Sequence, residues 1–254
     1  MHRAGSRTHD MPATASDGWD LSARAWIDLI DDDPNRKILL DPVMLDLCGD
    51  VRGKRTLDVG CGEGRFCRML AERGASAVGL DPTSGLITEA QARGPRGAYV
   101  RAMAEQQPFA DASFDLVISY ITLVDIVGYR EAIAEMARVL RPGASIVAAN
   151  LGFVTATPAI GGESPWVRDD AGNRLYRKLD RYAEEFSARM AWAGIDIVNW
   201  HRPQSAYMQA YLAAGLILRD FLEPVPTDQS LRADPYFEDW FRVPLFNVMR
   251  WQKP

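Results

Sequence analysis

The chain has 254 residues, 47% of them hydrophobic and 25% charged, the composition of a soluble globular protein long enough to bury a full core. Its 34 acidic side chains against 29 basic ones leave a formal net charge of −5, and no dense Lys/Arg block occurs, so a nucleic-acid partner is not expected. Three cysteines (Cys48, Cys61, Cys67) without a C-x-x-C pair argue against a disulfide framework or a metal site and fit a reducing, cytoplasmic setting; no apolar run reaches eighteen residues, so no membrane span is expected.

Residues 1–17 are rich in Ser, Thr, Ala and His and lack an apolar segment, which reads as a disordered, mobile tail rather than a signal peptide. One domain is expected from residue 18 to 254. It opens with N-terminal helices over 18–50. Leu21, Ala25, Trp26, Leu29 and Ile30 recur at helical spacing, and a second helix is predicted over Lys37–Leu47 with a break at Pro42.

Arg55-Thr-Leu-Asp-Val59 reads as a short buried strand, followed by Gly60, Gly62 and Gly64 at alternate positions and then a helix from Arg65 to Arg73. Strand, glycine turn and helix make a nucleotide-type site at the carboxyl edge of a parallel sheet. A dinucleotide dehydrogenase would carry G-x-G-x-x-G, but Arg65 stands at the third glycine. Asp58, two residues before the first glycine, repels a pyrophosphate and suits a ligand with a cationic amino group. Ala75–Asp81 reads as a second strand ending in a carboxylate 21 residues after Gly60. That spacing suits an acceptor for both ribose hydroxyls; Asp81 could equally cap the helix that follows, with Thr83 or Ser84 as N-cap.

This stretch resembles motif I of the Rossmann-like (class I) S-adenosylmethionine-dependent methyltransferases, small-molecule type. The likeness continues through Arg101-Ala-Met-Ala-Glu-Gln-Gln-Pro-Phe109, similar to the family loop D-A-E-x-L-P-F, then Ser113–Ser119 as fourth strand and Glu135–Gly143 as the helix and turn before the fifth. It covers about residues 51–150, the cofactor-binding core. It implies an α/β fold: an open parallel sheet with a final antiparallel strand, helices on both faces, an N-terminal helical lid and an insertion after the fifth strand. The lid helices could alternatively just cover the sheet edge. The resemblance implies S-adenosyl-L-methionine as cofactor, with Asp58, Gly60, Cys61, Gly62, Gly64, Asp81, Pro82, Met103, Ala104, Glu105 and Ser119 as its binding set. Met103 stands where many members carry Asp, so it either packs on the adenine face or is ordinary core, and Glu105 or a backbone carbonyl takes the adenine amine. Glu63 faces the methionyl group or solvent.

An amphipathic helix is predicted over Tyr129–Leu140, with Ile133, Met136, Ala137 and Leu140 inward, ended by Pro142-Gly143; Ser145–Ala149 is the fifth strand. Residues 151–203 form the insertion, expected to shape the acceptor pocket. It holds Pro158, Gly161-Gly162 and Pro165, a hairpin signal at Arg168–Asn173, a helix over Leu179–Trp192, and the large side chains Phe153, Trp166, Tyr176, Tyr182, Phe186, Trp192 and Trp200. Residues 204–254 supply a helix over Gln204–Ala214 with Tyr207, Tyr211 and Leu212 on its apolar side, a sixth strand at Gly215–Phe221, a proline- and acid-rich excursion over Val225–Pro244, and a last strand at Leu245–Trp251. In the family that strand lies antiparallel within the sheet.

Methyl transfer needs little from side chains beyond alignment, so the catalytic group is the least legible part. His201, in Trp200-His-Arg-Pro203, is the only histidine outside the tail: a base or acceptor ligand, or a ring bonded to a neighbouring loop. Tyr120, after the fourth strand, orients the sulfonium or acceptor, or simply packs. Asp125 is a lesser candidate, Asn150 and Tyr207 weaker ones. The expected activity is transfer of a methyl group to oxygen, nitrogen or carbon of a small organic acceptor by a monomer or homodimer. The alternatives are an RNA- or protein-directed methyltransferase and a non-catalytic S-adenosylmethionine-binding module.

Overall fold

The computed structural model describes residues 18–94, 98–152 and 166–254. The expected tail, Phe153, Pro158, Gly161, Gly162 and Pro165 lie outside the described residues. Helix α1 spans Trp19–Ile30, and a π-helical turn over Asn35–Leu40 runs into α2, Asp41–Cys48. In place of the break expected at Pro42, the helix continues and changes from π to α between Leu40 and Asp41, with Pro42 in the first turn of α2.

Strand and helix then alternate: β1 (Arg55–Val59), α3 (Arg65–Glu72), β2 (Ser76–Asp81), α4 (Ser84–Ala92), β3 (Ala98–Arg101), β4 (Phe114–Tyr120), α5 (Tyr129–Val139) and β5 (Leu140–Leu151). Two hairpins follow, β6 (Trp166–Arg168) with β7 (Arg174–Arg177) and β8 (Phe186–Trp192) with β9 (Ile195–His201). The chain ends with α6 (Gln204–Ala213), β10 (Ile217–Leu222), the short helices α7 (Asp228–Ala233) and α8 (Glu238–Arg242), and β11 (Phe246–Gln252).

Seven strands form one sheet in the order β10-β11-β5-β4-β1-β2-β3. Every described pairing from β5 to β3 is parallel, while β11 runs antiparallel between β5 and β10. This is the Rossmann-like open sheet with a final antiparallel strand that the motifs imply. Strand order reverses between β1 and β4, which opens a crevice at their carboxyl ends.

The sheet is covered on both faces, so its central strands are apolar throughout. From Thr56 to Val59 every residue of β1 is buried. The two-residue period sorts the side chains. Leu57, Val117, Ile146 and Trp251 pack with Ile133 and Met136 of α5 and Tyr211 of α6. Ile118, Val147 and Val248 pack on the other face with Met44 of α2 and Phe66 and Leu70 of α3.

The helix expected over Leu179–Trp192 is not formed. Phe186–Trp192 is a strand whose exposure alternates along most of its length, paired in register with Ile195–His201. The turn explains it: Ala193 and Gly194 both have positive φ (47° and 83°), the two-residue geometry that matches the twist of a hairpin. The Arg168–Asn173 signal does form a hairpin turn, between β6 and β7. In α6, Tyr207 and Tyr211 are buried as expected, but Leu212 is half-exposed, because it falls on the side of the helix turned from the sheet. Among the described residues no helix is long and apolar enough to cross a membrane.

Candidate active site

A cavity of about 590 Å³ opens in the crevice between β1 and β4. Its floor is the chain ends of β1, β2 and β4. Its roof comes from Trp19 and Trp26 of α1 and Arg36 of the π-helical turn. Of the residues singled out from sequence, Asp58, Gly60, Cys61, Gly62, Asp81, Pro82, Met103, Ala104, Glu105 and Tyr120 line it, with Glu63 and Asp125. Gly64, Ser119 and His201 do not line it.

The glycines serve different ends. All three have positive φ (74°, 57° and 80°), which an L side chain adopts only under strain. A Cβ on Gly60 would lie 2.1 Å from a Thr122 carbon, and one on Gly64 2.6 Å from the Tyr99 hydroxyl. Those two glycines are required by packing against the protein itself. Only Gly62 has room, with Trp26 Nε1 at 3.5 Å from the added carbon, so the approach surface for a ligand is Gly62. Next to Thr122, Ile121 takes φ 57°, a sparsely populated conformation for a β-branched residue, at the cavity wall.

The end of β2 holds the loop. The N–H groups of Gly60 and Cys61 both donate to the Leu80 carbonyl (2.7 and 3.0 Å). Asp81 Oδ2 accepts from the Gly62 N–H at 3.0 Å, and its Oδ1 accepts from the Thr83 N–H at 2.8 Å. Asp81 thereby closes a tight turn onto the Thr83 N–H just ahead of α4. Thr83 occupies the N-cap position but makes no side-chain cap bond. Burial nevertheless holds the Asp81 carboxyl above the usual range.

Asp58 is more exceptional. It is buried, its Oδ2 accepts from the Cys67 thiol at 3.7 Å, and its Oδ1 has no hydrogen-bond partner. Burial pushes this carboxyl up to about 7. Glu63 is buried beside it and accepts from the Arg65 N–H at 3.1 Å. The wall thus carries three carboxylates, one with an orphaned oxygen, a composition that suits a ligand with a positive group.

The structure places the two catalytic candidates differently. The Tyr120 ring lines the cavity, but its hydroxyl donates to Asp41 Oδ1 at 2.6 Å, and Asp41 in turn pairs with the Arg65 guanidinium. Burial pushes the Tyr120 hydroxyl far up, so it stays protonated. His201 is buried away from the cavity, with Nε2 2.9 Å from the Tyr182 carbonyl and its ring between those of Tyr182 and Phe186. Burial lowers its pKa. Its place at the end of β9, not its chemistry, decides its surroundings. Met103 is 53% exposed, which removes the ordinary-core reading and leaves it on the cavity rim. Asn150 is buried off the cavity lining.

The neighbour of His201 was missed. Arg202 is buried, and its guanidinium donates to the carbonyls of Leu123 (2.8 Å), Ile126 (2.6 Å) and Val127 (3.2 Å). It lies over the Tyr129 ring at 4.2 Å, with the Tyr207 hydroxyl 3.3 Å from its Nη1. One side chain thereby holds the β4–α5 loop, whose residues Ile121–Thr122 and Asp125–Val127 line the cavity. A buried cation in a W-H-R-P segment was the available signal.

Comparison with known proteins agrees with this geometry. A methyltransferase domain family model matches residues 57–148. The solved structure of an S-adenosylmethionine-dependent methyltransferase from Mesorhizobium loti superposes with a TM-score of 0.77 at 26% identity, over 88% of this chain and 100% of that one. An uncharacterised protein of Mycobacterium tuberculosis is 36% identical over 208 residues, 79% of this chain and 68% of that one. A demethylmenaquinone methyltransferase of Renibacterium salmoninarum is 34% identical over 116 residues, so the match spans about half of that relative's length (49%) and 46% of this chain. The chain belongs to the class I S-adenosylmethionine-dependent methyltransferases, and S-adenosylmethionine is the cofactor of that family.

Two outcomes follow for the ligand-free protein. An aspartate whose folded pKa is raised from roughly 4 to about 7 is neutral when folded at low pH, and its stability contribution is lost as pH rises through 7. Asp58→Asn cannot ionise. Its stability in urea titrations should therefore exceed the wild type's by more at pH 8 than at pH 5; an equal difference at both would mean Asp58 titrates normally. Arg202→Met strands three carbonyls and should cost ~3 kcal/mol in the same measurement.

Proposed function

We propose that the protein transfers the methyl group of S-adenosylmethionine to a small organic acceptor bound under the aromatic roof of this cavity. The observation that carries the reading is the buried, orphaned Asp58 oxygen facing a glycine loop whose other flank is Asp81. The donor set fits the cofactor. Asp58 receives the ammonium of the methionyl end, and Gly62 gives that end room to lie close to the backbone. Asp81 uses one lone pair of each oxygen on Gly62 and Thr83, which leaves one on each for the two ribose hydroxyls. Met103, Ala104 and Glu105 border the adenine.

The bound cofactor supplies a methyl group on a good leaving group. The protein supplies alignment and exclusion of water. Trp19 and Trp26 cover the cavity, and the Tyr120 ring, fixed by Asp41, forms a wall at the end of β4. Asp125, which accepts from the Asn199 amide, is the carboxylate on the β4–α5 loop and the best-placed group to take an acceptor proton. The small-molecule reading is supported by the relative named for methylating demethylmenaquinone and by the aromatic side chains Trp19 and Trp26 over the cavity.

Calorimetry with S-adenosylhomocysteine tests the site. Wild type should bind, and Asp81→Ala should weaken binding at least tenfold, on the order of 1.4 kcal/mol or more. Absence of wild-type binding at high micromolar concentration overturns the reading. Binding favours ionised Asp58, so affinity should rise from pH 5.5 to 8 as that proton leaves, and Asp58→Asn should flatten the dependence.

A further inference from the structure

Among the described residues, six carboxylates line the cavity against three arginines. Asp58, Glu63 and Asp81 stand on the glycine-loop side, which leaves Asp20, Glu105 and Asp125. The arginines do not offset these three. Arg65 is paired with Asp41, outside the lining. Arg36 has Asp33 as its charged neighbour, with Nε 3.5 Å from Oδ2; its side chain is only 11% exposed, and it makes no hydrogen bond to a described residue. Its guanidinium lies over the Trp26 ring, 5.0 Å from the centroid. Arg101, exposed at the end of β3, donates through Nε to the Pro82 carbonyl. Arg202 lies behind the β4–α5 loop, bonded to three carbonyls and off the lining.

Strand β9 joins the two edges of this acidic half. The Asp196 N–H donates to Ser22 Oγ at 2.9 Å, which fixes the start of α1 and with it Trp19 and Asp20. Further along the strand the Asn199 amide donates to Asp125, and the Trp200 N–H donates to the Val124 carbonyl at 2.7 Å. Glu105 packs against the far end of the same loop, where a Cβ on Gly128 would lie 2.9 Å from its Cγ. Above, the rings of Trp19 and Trp26 meet at 88° with 5.2 Å between centroids. Two rings at right angles beside carboxylates are the chemistry that recognises an ammonium group, and the Arg36 guanidinium already uses one face of Trp26 in this way.

We propose, resting on the small-acceptor reading, that the acceptor is an amine, received as its ammonium ion between the Trp19–Trp26 corner and the Asp125 carboxylate. The cavity and the family's cofactor make the site; the carboxylates decide the charge of what enters it. Among the described residues no group of His, Cys, Asp and Glu is arranged to hold a metal ion, so the acidic half is not a cation centre of that kind. An acceptor carrying a carboxylate or phosphate would meet like charges on three sides. An ammonium nitrogen has no lone pair and must lose a proton before it reacts. Asp125 takes that proton. The nitrogen lone pair then forms a bond to the methyl carbon while the carbon–sulfur bond breaks, and that electron pair stays on sulfur. The products are a methylated ammonium ion and a neutral thioether, with the proton on Asp125 passing to solvent.

Calorimetry on the S-adenosylhomocysteine complex tests this with three probes that share a ring and differ in charge at neutral pH: benzylamine, benzyl alcohol and benzoate. Benzylamine should bind wild type at least tenfold more tightly than benzyl alcohol, and benzoate should not bind. Asp125→Asn, which keeps the shape and removes the charge, should weaken benzylamine at least tenfold and leave S-adenosylhomocysteine within twofold. Should that variant not fold, Asp20→Asn, exposed in the first turn of α1, should weaken benzylamine at least twofold with the nucleoside again unchanged. Equal binding of the three probes, tighter binding of the alcohol or the carboxylate, binding of none, or a benzylamine affinity that Asp125→Asn leaves unchanged overturns the proposal. Each of those outcomes leaves the methyltransferase reading standing while S-adenosylhomocysteine binds. Wild type that does not bind S-adenosylhomocysteine overturns that reading, and this inference with it.

Discussion

The site hangs on the last two residues of β2. The Leu80 carbonyl accepts from two successive loop N–H groups, and the Asp81 carboxylate accepts from a third. These bonds fold the chain after β1 back toward the neighbouring strand and set all three glycines at positive φ. The same carboxylate accepts from the Thr83 N–H, so it ties the loop to the turn that leads into α4. The Asp81 side chain is thus held in place by the backbone before any ligand arrives, which lowers what binding there would spend on ordering it.

A second set of contacts ties the roof to the floor. Asp41 begins α2, Arg65 begins α3 directly after the glycine loop, and Tyr120 ends β4; the three meet in one buried network. A roof built from the N-terminal helices alone would be joined to the sheet only by packing. The ion pair fixes its position relative to the loop, and the bond to Tyr120 extends it to the strand across the crevice. Because Asp41 satisfies both partners, its loss would strand a buried cation and a hydroxyl together.

The half of the cavity built from Asp58, the glycine loop and Asp81 is legible in the sequence because its determinants are local. Asp58, the glycines and Asp81 lie within 24 residues, and each glycine's backbone demand shows in its own residue type. The roof and the far wall were less legible. Residues 179–192 carry aromatics at spacings compatible with a helix, and the deciding feature was the Ala193-Gly194 turn just beyond them. In Trp200-His-Arg-Pro203 the titratable histidine drew attention, while the arginine beside it holds the loop, since partners 75 to 79 residues away cannot be read from spacing. Tyr120 lines the cavity, but Asp41, 79 residues earlier, decides what its hydroxyl can do.

The free protein keeps its cavity in an unfavourable electrical state. A buried carboxylate lacks one partner, and a nearly buried guanidinium lacks hydrogen bonds. Each could be made more stable alone by a neutral residue of similar shape. The Asp58 carboxylate sits at the start of a loop that the bonds to Leu80 and Asp81 hold in place. Ile121, held at φ 57° beside Thr122 and Gly60, is a third strained element in the same wall. A strained backbone and an orphaned carboxylate oxygen thus gather in one crevice of a fold otherwise satisfied by alternating apolar faces, which fits the proposed reading that a ligand with a positive group completes the wall.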